Sequence, residues 1–133
     1  MSSDRPPVVA IFNTSPDTVE MLRIVLEQAG FVVMGLYTYE ARDGRINIEN
    51  VFNQHEPDVV IYDIAPPYDK NWREFRHMCS MPALAKRKFV LTTTNMQRVR
   101  EAVDNPPEMF EIVGKPYDLG VIVEQVKKLS GRT

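Results

Sequence analysis

A carboxylate, a pair of hydroxyls and an ammonium each stand just beyond an apolar run in this chain. Asp63 follows Val59-Val60-Ile61-Tyr62, Thr93-Thr94 follow Phe89-Val90-Leu91-Thr92, and Lys115 follows Phe110-Glu111-Ile112-Val113-Gly114. An unbroken apolar run ending in an acid reads as a strand buried on both faces, the kind parallel sheets use. The acid then lies at the strand's C-terminal end, where open α/β sheets place ligands and chemistry. There it is a ligand, a nucleophile or a solvated strand end. Ile64-Ala65-Pro66-Pro67 comes next, and two prolines force the chain to turn. Lys115 before Pro116 also reads as a solvated loop lysine, and Thr93 as an ordinary strand-end hydroxyl. Brought together, the three suit a tetrahedral oxyanion. Asp63 can attack a phosphoryl group, Lys115 can neutralise its oxygens, and Thr93 can hydrogen-bond one of them.

What brings them together is the order of elements. Val8-Val9-Ala10-Ile11-Phe12 reads as a first central strand. Asn13-Thr14-Ser15-Pro16 ends it and opens a helix, with Ser15 as N-cap and Pro16 at the first helical position. Val19, Leu22, Val25, Leu26 and Ala29 recur at helical spacing, and Gly30 supplies the stop. Residues 31–37 form a second strand. A polar stretch from Thr38 to Asn47, with an Asp43-Gly44 turn signal, is longer than a usual connection. Ile48, Val51 and Phe52 mark a second helix ending near Pro57, before the Asp63 strand. Further helices are predicted over 71–81, 97–103 and 119–129, and strands over 89–92 and 110–113. Five strands alternating with five helices predict an α/β fold: a (βα)5, doubly wound, five-stranded parallel sheet with right-handed crossovers. In that sheet Asn13-Thr14, Asp63, Thr93-Thr94 and Lys115 all reach one edge.

Across 8–129 the chain resembles the receiver domain of two-component response regulators, of the chemotaxis-regulator type. The resemblance is carried by Asp63 with Pro67 four residues on, Thr93 30 residues after Asp63, and Lys115-Pro116 with the lysine 52 after it. It implies a single receiver domain over 1–133, with Asp63 as phosphoacceptor, Thr93 as switch hydroxyl and Lys115 as the phosphate-contacting lysine. It implies Mg²⁺ held by Asp63, the backbone of Ala65 and, weakly, Asn13. It implies a sensor histidine kinase or phosphotransfer protein as donor, and a downstream protein or attached output domain as reader. A homodimer through the fourth and fifth helices is among the states it allows. The only reaction it implies is self-phosphorylation, not turnover as an enzyme.

The sequence departs from that family twice. The acidic pair that receivers carry after their first strand falls on Asn13 and Thr14, and neither is ionised. Weak or absent Mg²⁺ and slow transfer are the expectation. Asp17, in the first helical turn, serves that helix's N-terminus rather than replacing the pair, and Lys115 is expected against Asp63. The aromatic that receivers place three residues before the lysine is Ile112 here, so a switch cannot use that ring. A pseudo-receiver, an interaction module read without phosphorylation, is therefore the competing reading.

A third reading, a flavodoxin-type electron carrier, fails on the loop after strand one. Asn13-Thr14-Ser15-Pro16-Asp17-Thr18 has no glycine, Pro16 removes an amide donor, and Asp17 repels a phosphate.

Bulk composition bounds the rest. The 133 residues fit one domain. A net charge of −2 argues against a direct nucleic-acid binder. One cysteine, Cys79, cannot pair internally, which suits a reducing cytoplasm. No apolar stretch approaches the roughly 18 residues of a membrane span. His55 and His77 lack ligand partners at metal spacing. Lys86-Arg87-Lys88 reads as a solvated turn, Cys79 as buried, and Trp72 and Tyr68 as core or partner surface.

Overall fold

A computed structural model of the chain describes residues 6–13, 15–37, 40, 44–85, 87–102, 110–114 and 119–131, with the backbone alone for 110–114. Thr14, Lys86, Lys115, Pro116 and part of the polar stretch after Tyr37 lie outside the described residues.

The elements in order are β1 (Val8–Asn13), α1 (Pro16–Gln28), β2 (Val32–Tyr37), α2 (Ile48–His55), β3 (Val59–Asp63), α3 (Tyr68–Cys79), β4 (Lys88–Thr93), α4 (Met96–Ala102), β5 (Phe110–Gly114) and α5 (Leu119–Ser130). The strands run in the order β2-β1-β3-β4-β5. β1 pairs in parallel with β2 and β3, and β3 with β4; β5 joins β4 in parallel register at the edge.

The continuous apolar runs are explained by a core on each face of the sheet. On one face, Val9, Ile11, Val59, Ile61 and Val90 meet Val19, Leu22 and Leu26 of α1 and Ile122, Val126 and Leu129 of α5. On the other, Phe12, Val60, Tyr62, Phe89 and Leu91 meet Phe52 of α2, Trp72, Phe75 and Met78 of α3, and Val99 of α4. Alternate strand side chains point to opposite faces, so only a strand apolar at every position can serve both cores.

Local signals set most of the boundaries. Ser15 caps α1, its hydroxyl accepting from the Thr18 amide at 3.3 Å, with Pro16 at the first position. Asn47 caps α2 through the Asn50 amide at 3.0 Å. Gly30, at φ 97°, follows α1. Just before β3, the Asp58 amide donates to the Val8 carbonyl and its carboxylate accepts from the Val8 amide, both at 2.8 Å.

Two expectations change. α3 starts at Tyr68, three residues before the predicted start, directly after the cis-linked Pro66-Pro67 pair. Arg87 is no solvated turn residue. It donates to the carbonyls of Ala83 (2.9 Å), Pro57 (3.0 Å) and Phe52 (3.4 Å), and its guanidinium lies over the Phe52 ring.

Candidate functional site

Asp63 is the last residue of β3, the middle strand of the sheet, and it is half-buried there. Its position follows from alternation. Val59 and Ile61 face α1 and α5, and Asp63 is next in that phase. Thr92 is Asp63's register partner on β4, in phase with Val90. The Thr92 hydroxyl donates to Asp63 Oδ1 at 2.7 Å, and Thr92 is 1% exposed. The Ile64 amide donates to the Thr92 carbonyl at 2.8 Å, holding the two strand ends in this register. A hydroxyl donating to a carboxylate is a charge-assisted bond, stronger than a neutral one.

Thr93, the hydroxyl expected beside Asp63, is in phase with Phe89 and Leu91 and fully buried. Its Oγ1 accepts from the Asn95 amide at 3.2 Å, a bond that does not use its own proton. Thr94 shares a hydrogen bond with the Tyr68 hydroxyl at 2.9 Å. Asp69 lies 3.7 Å from Arg98, both exposed, a pair of small energetic weight. These contacts tie the start of α3 to the loop entering α4.

Asn13 ends β1 in phase with Val9 and Ile11, so it shares the face of Asp63 and Thr92. It is 4% exposed, and its Oδ1 accepts from the Ser15 amide at 2.9 Å. Its amide oxygen is therefore used in shaping the turn into α1. The Ala65 carbonyl, expected as a backbone metal ligand, accepts from Asn71 Nδ2 at 2.6 Å.

Mg²⁺ is held by near-octahedral oxygen donors, usually including one or two carboxylates with waters and phosphate oxygens. Among the described residues the donors are one carboxylate, an amide oxygen turned into its own loop and a carbonyl under the Asn71 amide. With a single acid, they make a weak set for that ion. Among the described residues no group of three or more His, Cys, Asp or Glu could hold a metal. His55 and His77 are both exposed, on different helices. Cys79 is half-buried, and burial pushes its thiol up to about 12, with Arg76 opposing.

Lys115 lies outside the described residues, as does Thr14. The backbone of β5 ends at Gly114, in register with Thr93. Ile112 is in register with Leu91. The residue that sequence reasoning passed over is Thr92. The register partner of Asp63 would have found it, but a strand apolar on both faces gives no phase from which to choose it.

No family model and no curated relative matches the sequence. Its backbone does match solved structures over nearly their whole length. A response regulator from Thermotoga maritima superposes with a TM-score of 0.70 at 18% identity, covering 96% of this chain and 99% of that one. A response regulator receiver protein from Burkholderia phymatum gives 0.71 at 16%, covering 96% and 97%. A sensor protein from Polaromonas gives 0.74 at 14%, covering 96% and 98%. Identities this low speak for the fold and not for the chemistry. The chain has the fold of response-regulator receiver domains.

Proposed function

We propose that this chain is an atypical receiver in two-component phosphorelay signalling, a single doubly wound (βα)5 domain that accepts a phosphoryl group on Asp63. The observation that carries the reading is the half-buried Asp63 carboxylate at the end of the middle strand, its Oδ1 held by the Thr92 hydroxyl. In the reaction an Asp63 oxygen attacks the phosphorus of a phosphohistidine. The P–N bond breaks, its electron pair passes to the imidazole nitrogen, and that nitrogen takes up a proton. An acyl phosphate on Asp63 results. Lys115 supplies positive charge to the phosphoryl oxygens; Thr93 takes part only by turning its hydroxyl toward them from the opposite face, where it is fully buried. The donor is a sensor histidine kinase or phosphotransfer protein in the cytoplasm. The reader is a downstream protein, an attached output domain or a second copy of the chain, with no direct role for nucleic acid. No described helix is long and apolar enough to cross a membrane.

The alternative, an interaction module read without phosphorylation, draws on one observation: Asn13 stands where a second acid would be, with its amide oxygen committed to Ser15. Incubation with acetyl phosphate, followed by intact mass, separates the two. Gain of one phosphoryl group by the wild type and none by Asp63→Ala is the expected result. No gain at long times and high donor concentration would leave the interaction module as the reading.

A further inference from the structure

Three threonines in succession run from the end of β4 into the turn after it, and each hydroxyl has a different partner. Thr92 donates to the Asp63 carboxylate, Thr93 accepts from the Asn95 amide, and Thr94 bonds the Tyr68 hydroxyl. Thr92 is the one that faces the reacting group. It sits among apolar residues of the α1/α5 face, where a valine of the same shape would fill the space. A hydroxyl buried without a partner costs free energy that a methyl does not. The bond to Asp63 accounts for its presence.

We propose that Thr92 is a positioning residue for Asp63, holding its carboxylate in one orientation for attack; this rests on Asp63 being the phosphoacceptor. The Thr92 hydroxyl holds Oδ1 at 2.7 Å. The side chain is fixed before the donor arrives, so less rotational freedom is lost on reaching the transition state.

The test uses Thr92→Val, which keeps the shape and removes the donor, and Thr92→Ser, which keeps the donor. With acetyl phosphate, Thr92→Val is expected to slow phosphoryl gain about tenfold, because the carboxylate is no longer held in one orientation before the donor arrives. Thr92→Ser is expected to restore the rate to within about twofold. A second readout needs no phosphorylation: urea unfolding of Thr92→Val in the wild-type and Asp63→Ala backgrounds. The substitution should lower the midpoint in the first, and leave or raise it in the second, where the hydroxyl has lost its acceptor. Equal shifts in both backgrounds, or a Thr92→Val rate equal to wild type, would overturn the proposal. Coupled midpoints with no phosphoryl gain in any protein would instead overturn Asp63 as phosphoacceptor, leaving the Thr92–Asp63 bond itself standing.

Discussion

Asn13 and Asp63 stand in the same phase at the ends of adjacent strands, and only one of them is an acid. That difference gives a direct prediction. Asn13→Asp adds a second carboxylate at a position 4% exposed, so without metal it should lower the melting temperature. Adding Mg²⁺ should then raise that temperature in a saturable way, because a ligand bound by the native state stabilises it. The wild type should show no saturation in the millimolar range. A wild-type response equal to the variant's would contradict the reading of the donor set.

Cys79 offers a second test at the residue scale. Burial raises its thiol from an ordinary value near 9 to about 12. Between those two values the unfolded chain has lost the proton and the native one keeps it, so this group's contribution to stability falls as pH rises from about 9 to 12. At pH 8 its alkylation should be far slower in the native protein than in urea, as mass spectrometry with iodoacetamide would report. Of the residues at this scale, Asp63 was legible because a charge interrupts an apolar run. Thr92 was not, since its face depends on a register that no residue type announces.

At the scale of elements, α1 lies so close to β2 that a side chain at Gly35 has no room. A Cβ there would come within 2.7 Å of Val19 Cγ1 and 3.2 Å of Arg23 Nη2. Gly35→Ala should cost about 1–3 kcal/mol of unfolding free energy, measured by urea denaturation. Arg87 joins the chain before β4 to the ends of α2 and the turn into β3 through three carbonyls. Replacing it with leucine removes the guanidinium donor from the Ala83 and Pro57 carbonyls, while Phe52 keeps its bond from the Glu56 amide, and should cost about 1–3 kcal/mol. α1 was legible almost to the residue, because Ser15, Pro16 and Gly30 carry their own chemistry. The start of α3 was not: Tyr68-Asp69-Lys70 has no apolar spacing, and its turn is set by the prolines before it and by the Tyr68–Thr94 bond. Arg87 was misread for a related reason. A basic triplet looks solvated until the carbonyls it serves, 30 and 35 residues away, are brought beside it.

For the whole molecule, alternation of apolar runs with helical spacing was enough to predict an α/β sheet with parallel strands, because each run had to serve two cores. The same pattern carries nothing about chemistry, and the solved structures that share the fold at 14–18% identity add none. The proposed function therefore turns on one side chain at the end of the middle strand. The most direct measurement is to locate the modified residue itself. After treatment with acetyl phosphate, borohydride reduces an aspartyl phosphate to homoserine, and tryptic digestion releases residues 46–70, which contain Asp58, Asp63 and Asp69. Fragmentation of that peptide is predicted to place homoserine at position 63 alone. Homoserine at Asp58 or Asp69, or none anywhere in the chain, would contradict the assignment of Asp63 as phosphoacceptor.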